Sequence, residues 1–255
     1  GYLSLHAGWA ESGRAVAWML AQARAAGVEV REGVRVSGLL ERGSRVAGVR
    51  TEDGDSIEAA RVVVAAGAWT PVLLPWLADR LRVVGQPVFH LRPRDAAPYV
   101  AARFPPWAAD IARTGWYGFP AAADGIVKVA NHGAGVPVDP RARPDVPAVW
   151  EAHLRDFLVD ARPDLADAHI AARRLCLYCD AFDGDFWIAA DPAREGLVVA
   201  AGGSGHGFKF APVLGEIVAN VLEGRPDEWA PRFAWREAGA RRREAARWDP
   251  ERPTT

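Results

Sequence analysis

The sequence holds few residues of the kinds that would define it quickly. Only two cysteines occur in 255 residues, Cys176 and Cys179. Two are too few for a disulfide framework, so the reducing cytoplasm is the expected compartment. No apolar run approaches the roughly 20 residues of a membrane span. The opening GYLSLHAGWAESG has no basic stretch followed by an apolar one, so neither a membrane partner nor a signal peptide is expected. A net charge of −1 gives no reason to expect nucleic acid as a partner. HExxH, a Ser-His-Asp order and a phosphate-binding P-loop are missing as well. Cys176-Leu-Tyr-Cys179 matches C-x-x-C, but without clustered histidines a zinc site is short of ligands, and no metal is expected. The pair sits in a strand-like stretch, whereas a redox pair favours a helix N-terminus. The chain begins at Gly1 and its one methionine is Met19, which suggests a processed or truncated product.

What is present is an ordinary globular balance, 50% hydrophobic and 25% charged, with length for one large domain or two smaller ones. The densest information lies in Gly196–Gly224. Leu197–Ala201 has the length and branching of a buried strand. Glycines follow at 202, 203, 205 and 207, which do not fit GxGxxG spacing. Then Val213, Leu214, Ile217, Val218, Val221 and Leu222 recur as on an amphipathic helix that Gly224 stops. Such a loop can turn sharply and let another body lie against its backbone; it can equally be a tight packing turn. His206 and Lys209 lie inside it, two groups suited to an anion or an electron-rich ring.

Upstream, a helix is expected from near Ser12 to Ala26, stopped by Gly27. Strands are expected at 28–30, 34–40, 46–51 and 56–59, with Asp53-Gly54 as a two-residue hairpin turn. A buried strand at 61–66 ends in Ala66-Gly67-Ala68-Trp69. No glycine-rich first βα turn precedes these elements. From Leu81 to about Cys176 the pattern is an antiparallel sheet with long proline-bearing loops and one main helix, Ala148–Ala161. Strands at 186–189 and 197–201 and the last helix return to the first pattern. The stretch after Pro226, with Arg241-Arg242-Arg243, reads as a solvated helix or tail.

Among chemistry-bearing residues, Lys128 and His132 in GIVKVANHG share one face of a strand. A lysine between Val127 and Val129 points either to solvent at a sheet edge or into a polar cavity. Tyr117 reads as a core aromatic. Tyr178, two residues after Cys176, projects to the same side of its strand. His6, His90, His153 and His169 have no partner that the sequence identifies.

The blocks VVVAAGAW (62–69), WYGFP (116–120), GIVKVANHG (125–133), CLYC with DGDFWI (176–188) and AAGGSGHGFKFAP (200–212) together resemble the monomeric sarcosine oxidase family, within the wider D-amino-acid-oxidase-like group. The resemblance runs from about Gly8 to Pro231. It implies an α/β plus α+β fold: a partial FAD-binding domain of the glutathione-reductase-like kind (1–80 and 176–235), an antiparallel-sheet substrate domain (81–175) and a tail (236–255). It implies an FAD-dependent oxidoreductase that oxidises the C–N bond of a secondary amino acid and reduces O2 to H2O2. Cys176 matches the residue joined to the flavin 8α-methyl, Lys128 the lysine of oxygen activation, and Lys209 the lysine that binds the substrate carboxylate. Tyr117, Tyr178, His132 and His206 match active-site positions, with Tyr117 also touching substrate. Gly67, Ala68, Trp69, Gly203, Gly205, His206, Gly207, Phe208 and Lys209 match the flavin-lining backbone. The family's glycine-rich ADP-binding segment has no counterpart here. That leaves two rivals open: a flavin dehydrogenase using another acceptor, and a non-catalytic subunit completed by a separate nucleotide-binding chain.

Overall fold

A computed structural model describes residues 1–142, 144–242, 247 and 248; Arg243 and most of the expected 236–255 tail lie outside the described residues. The chain divides into two compact units. One holds Ser12–Val83 and Tyr178–Arg242; the other holds Gly1–Glu11 and Val84–Leu177, together with Arg247 and Trp248.

The first unit begins with α1 (Ser12–Ala25), closed by Gly27 at φ +85°. Strands β1 (Val36–Arg42), β2 (Arg45–Thr51) and β3 (Ser56–Glu58) form an antiparallel sheet. The expected strand at 28–30 does not form. Val28 remains tied to α1 by its N–H to Ala23 O, and an extended segment without a ladder partner has nothing to hold it. The two-residue turn is Gly43-Ser44, between the paired Arg42 and Arg45. The Asp53-Gly54 turn is instead part of a longer connection, Glu52–Asp55, in which Thr51 N–H and Oγ1 both donate to Asp55 O.

The buried strand at 61–66 is shorter than expected, β4 (Val62–Val64), followed by a 3-10 turn at Gly67–Trp69 and by α2 (Thr70–Leu73). Near the end of the chain, β11 (Trp187–Ala190) and β12 (Leu197–Ala201) complete a second sheet in the order β11-β12-β4, with β12 and β4 parallel. Helix α5 (Ala211–Glu223) ends at Gly224, φ +68°, whose N–H caps the helix C-terminus. Val46, Leu74, Leu77, Trp187 and Val199 are fully buried here, and each aliphatic one contributes roughly 1.5–3 kcal/mol by leaving water.

The second unit is a sheet backed by one helix. Strand β5 (Leu81–Arg92) enters it, followed by β6 (Trp107–Ala108), α3 (Ile111–Thr114), β7 (Trp116–Phe119), β8 (Val127–Asn131), β9 (Val136–Pro137), α4 (Ala148–Ala161) and β10 (His169–Ala181). The strand order is β10-β5-β8-β7-β6, with β9 also on β5. Helix α4 buries Leu154 and Leu158 against Phe89, Leu91, Trp116, Val127 and Val129.

Candidate active site

Alternation along the strands assigns two faces to the sheet of the second unit. Phe89, Leu91, Trp116, Val127, Val129 and Leu175 belong to the core under α4. Their strand neighbours therefore point to the opposite face: His90, Tyr117, Phe119, Lys128, Ala130, Arg174 and Cys176. Register brings several of them side by side, with Lys128 directly opposite His90 on β5 and Phe119 on β7, and Tyr117 opposite Ala130.

Strand β8 lies between β5 and β7, so Lys128 is not an edge lysine. Its Nζ stands 4.9 Å from the centroid of the Phe119 ring, and Tyr117 packs edge-on against that ring at 5.8 Å. Burial, the largest influence, pushes the Lys128 ammonium below its ordinary 10.5. A thiolate at Cys176 opposes the fall and the charge of Arg174 adds to it. His90 is lowered in the same way, first by burial, then by Arg174 and Lys128. No carboxylate among the described residues pairs with Lys128. A half-buried cation without a carboxylate partner is costly, and it fits a site that receives negative charge from a ligand.

His132 follows β8 directly. Its N–H donates to Gly115 O at 2.8 Å and its carbonyl accepts from Trp248 N–H at 3.0 Å. The buried Gln86 fastens the next residue from both sides: Nε2 donates to Gly133 O at 2.7 Å and Oε1 accepts from Gly133 N–H at 3.2 Å.

In the other unit, β4 and β12 run parallel, with Val64 opposite Val199. Both following loops, Ala65–Trp69 and Gly202–Lys209, leave the carboxyl end of that pair, the end at which parallel α/β sheets bind ligands. Gly67 has φ +53°, Ala68 is buried and Trp69 is 39% exposed. In the second loop a Cβ on Gly205 would drive into the Tyr178 ring, so only glycine permits this approach. Ser204 holds a left-handed φ of +46°, a conformation that costs a non-glycine residue on the order of 1–3 kcal/mol. His206 stacks on Phe186 at 5.6 Å with the rings 28° apart. Lys209 is exposed in the 3-10 turn Phe208–Phe210, 5.4 Å from the Phe210 ring centroid. Both line a cavity of about 820 Å³ with apolar walls that include Phe186, Phe210 and Ile217.

The structure thus gathers Lys128, Tyr117 and Cys176 on one face of the second unit. It gathers Tyr178, Gly205, His206 and Lys209 around one loop of the first. The two cysteines are both free, and burial pushes the Cys179 thiol up to about 11, which leaves it an inert thiol at neutral pH. No group of three or more possible metal ligands occurs among the described residues, and no described helix is long and apolar enough to cross a membrane. Sequence reasoning missed His90, Arg174, Phe186 and the role of Ser204. Alternation alone places His90 on a face, but only the β5–β8 register shows it opposite Lys128.

With this geometry in place, comparison with known proteins gives the family. The family described as "DAO: FAD dependent oxidoreductase" matches residues 1–221, and the chain belongs to that family, whose cofactor is FAD. It is 28% identical to L-saccharopine oxidase of Schizosaccharomyces pombe, over 91% of this chain and 59% of that protein. It is 34% identical to N-methyl-L-tryptophan oxidase of Salmonella agona, over 69% of this chain and 47% of that protein. The chain therefore spans about half the length of the curated relatives it matches. Among solved structures, fructosyl amine:oxygen oxidoreductase (Amadoriase I) of Aspergillus fumigatus superposes with a TM-score of 0.79 at 28% identity, covering 90% of this chain and 55% of that one. Amadoriase II of the same organism, at 24% identity, shares the fold with a TM-score of 0.83. The fold expected from the sequence, a mixed one with antiparallel sheet of the FAD-dependent oxidase kind, is the fold found.

Proposed function

We propose that the protein containing these residues is an FAD-dependent oxidase of secondary amino acids, releasing an imine and reducing O2 to H2O2. The observation that carries this reading is Lys128: a desolvated ammonium on an interior strand, on the same sheet face as Cys176, without a carboxylate partner among the described residues. The names of the relatives point to the same bond, since N-methyl-tryptophan, saccharopine and fructosyl amines all carry a secondary amine. When bound, FAD supplies acceptance of two electrons from that C–N bond and their return to oxygen.

The chain's own residues supply the rest. Gly203, Gly207 and Gly67 offer backbone without side-chain bulk to the flavin, Gly205 lets Tyr178 close against the same loop, and Ala68, Trp69 and Phe208 complete the flavin-lining segments. Cys176 is the attachment point for the 8α-methyl carbon. Lys209 binds the substrate carboxylate, which fixes the reacting carbon. Tyr117, Tyr178, His132 and His206 shape the substrate site by hydrogen bonds and ring contacts. Lys128 holds a positive charge in a low-dielectric setting, where it stabilises reduced oxygen species far better than it would in water.

The test is H2O2 release with a panel of sarcosine, N-methylated and cyclic amino acids against their primary-amine counterparts. Activity confined to the secondary amines is expected. Turnover that needs an artificial electron acceptor and makes no H2O2 would replace the oxidase reading with that of a dehydrogenase.

A further inference from the structure

The turn from Gly203 to His206 has two successive residues at positive φ, Ser204 at +46° and Gly205 at +76°. His206 N–H donates to Gly203 O at 2.9 Å across it. This is type I′ geometry, which asparagine, aspartate and glycine favour at its first central position. Serine is therefore held there by its surroundings rather than by its own preference. The residue is 2% exposed and is fastened three times. Its N–H donates to Cys179 O at 3.0 Å, its Oγ accepts from Ala181 N–H at 3.3 Å, and its hydroxyl donates to Gly202 O at 3.1 Å.

So anchored, the Ser204 carbonyl oxygen lies 3.1 Å from His206 Nδ1. A carbonyl oxygen can only accept, so Nδ1 must carry a hydrogen. A neutral imidazole has one N–H, and its lone pair is then on Nε2. That is the reverse of the tautomer a histidine side chain favours in water. The stack on Phe186 restrains the ring's plane but does not distinguish its two nitrogens.

We propose that Ser204 is a positioning residue that locks neutral His206 in the Nδ1–H tautomer, so that His206 brings an acceptor nitrogen, Nε2, to the cavity it lines. Lys209 lines the same cavity. The pair offers an acceptor and a cation, which suits a ligand that carries both an N–H or O–H donor and a carboxylate. Use of that pairing on a secondary amino acid rests on the oxidase reading; the tautomer does not.

The experiment is a long-range ¹H–¹⁵N correlation spectrum of ¹⁵N-histidine-labelled protein at a pH where the imidazole is neutral. The six histidines give few signals, and His206→Gln identifies the one that matters. The wild type is expected to show His206 as Nδ1–H, and an Nε2–H signal overturns the proposal at once. In Ser204→Ala, which loses the hydroxyl and gains no freedom at positive φ, the major tautomer is expected to reverse. Ser204→Gly tolerates the turn without strain and guards against misfolding in the alanine variant; a mixture of tautomers is expected. Pure Nδ1–H in a folded Ser204→Gly or Ser204→Ala variant removes the role of Ser204. Flavin content, read from the visible spectrum of the same samples, is separate. A protein that stays colourless after incubation with FAD and has Nδ1–H His206 supports the tautomer lock and sinks the oxidase reading.

Discussion

Lys128 is where chemistry and stability pull in opposite directions. Its ammonium is pushed below 10.5 mainly by burial, so between the lowered value and 10.5 the unfolded chain binds more protons than the folded one. Stability therefore rises with pH through that window, and below it the whole penalty of burying the charge is present. Lys128→Met should abolish this slope and leave the protein at least as stable at neutral pH, as checked by urea melts at several pH values. The same substitution should slow reoxidation of the reduced flavin by O2 by about 10²–10³-fold, the scale for loss of one electrostatic stabiliser, as read in stopped-flow mixing with oxygenated buffer. Unchanged reoxidation would remove Lys128 from oxygen chemistry. Cys176 is tested by acid precipitation: flavin colour should stay with the wild-type pellet and pass to the supernatant in Cys176→Ala. Lys209→Met should raise KM by roughly ten- to hundredfold, the range for one hydrogen bond to a charged group, with a smaller change in kcat. An unchanged KM would place the carboxylate elsewhere.

At the scale of elements, the β12–α5 loop carries two successive residues at positive φ, Ser204 and Gly205. Gly205→Ala should destabilise by about 1–3 kcal/mol from backbone strain alone, and by more because its Cβ meets Tyr178; an unshifted denaturation midpoint would contradict this packing. The boundaries of β12 and α4 are legible because each combines the right period with a glycine, proline or cap at its end. Val28–Val30 misled because strand propensity says nothing about whether a partner strand is within reach. Asp53-Gly54 misled because Thr51 offers its own N–H and hydroxyl to Asp55 O, which widens the loop. In the site, Lys128 was conspicuous as a lone charge among valines. His90 and Ser204 were not, because their meaning lies in cross-strand register and in a positive φ, neither of which a sequence spells out.

For the whole molecule, family membership rests on residues 1–221, while the matches cover 47–59% of the relatives' own length. The near-zero net charge makes no demand for a polyanion. The central claim is that these residues hold a flavin. The visible spectrum of the protein, taken as purified and again after incubation with FAD and gel filtration, tests it most directly. Flavin absorbance that co-elutes with the protein is the predicted result; a protein that elutes colourless after exposure to FAD would contradict the account.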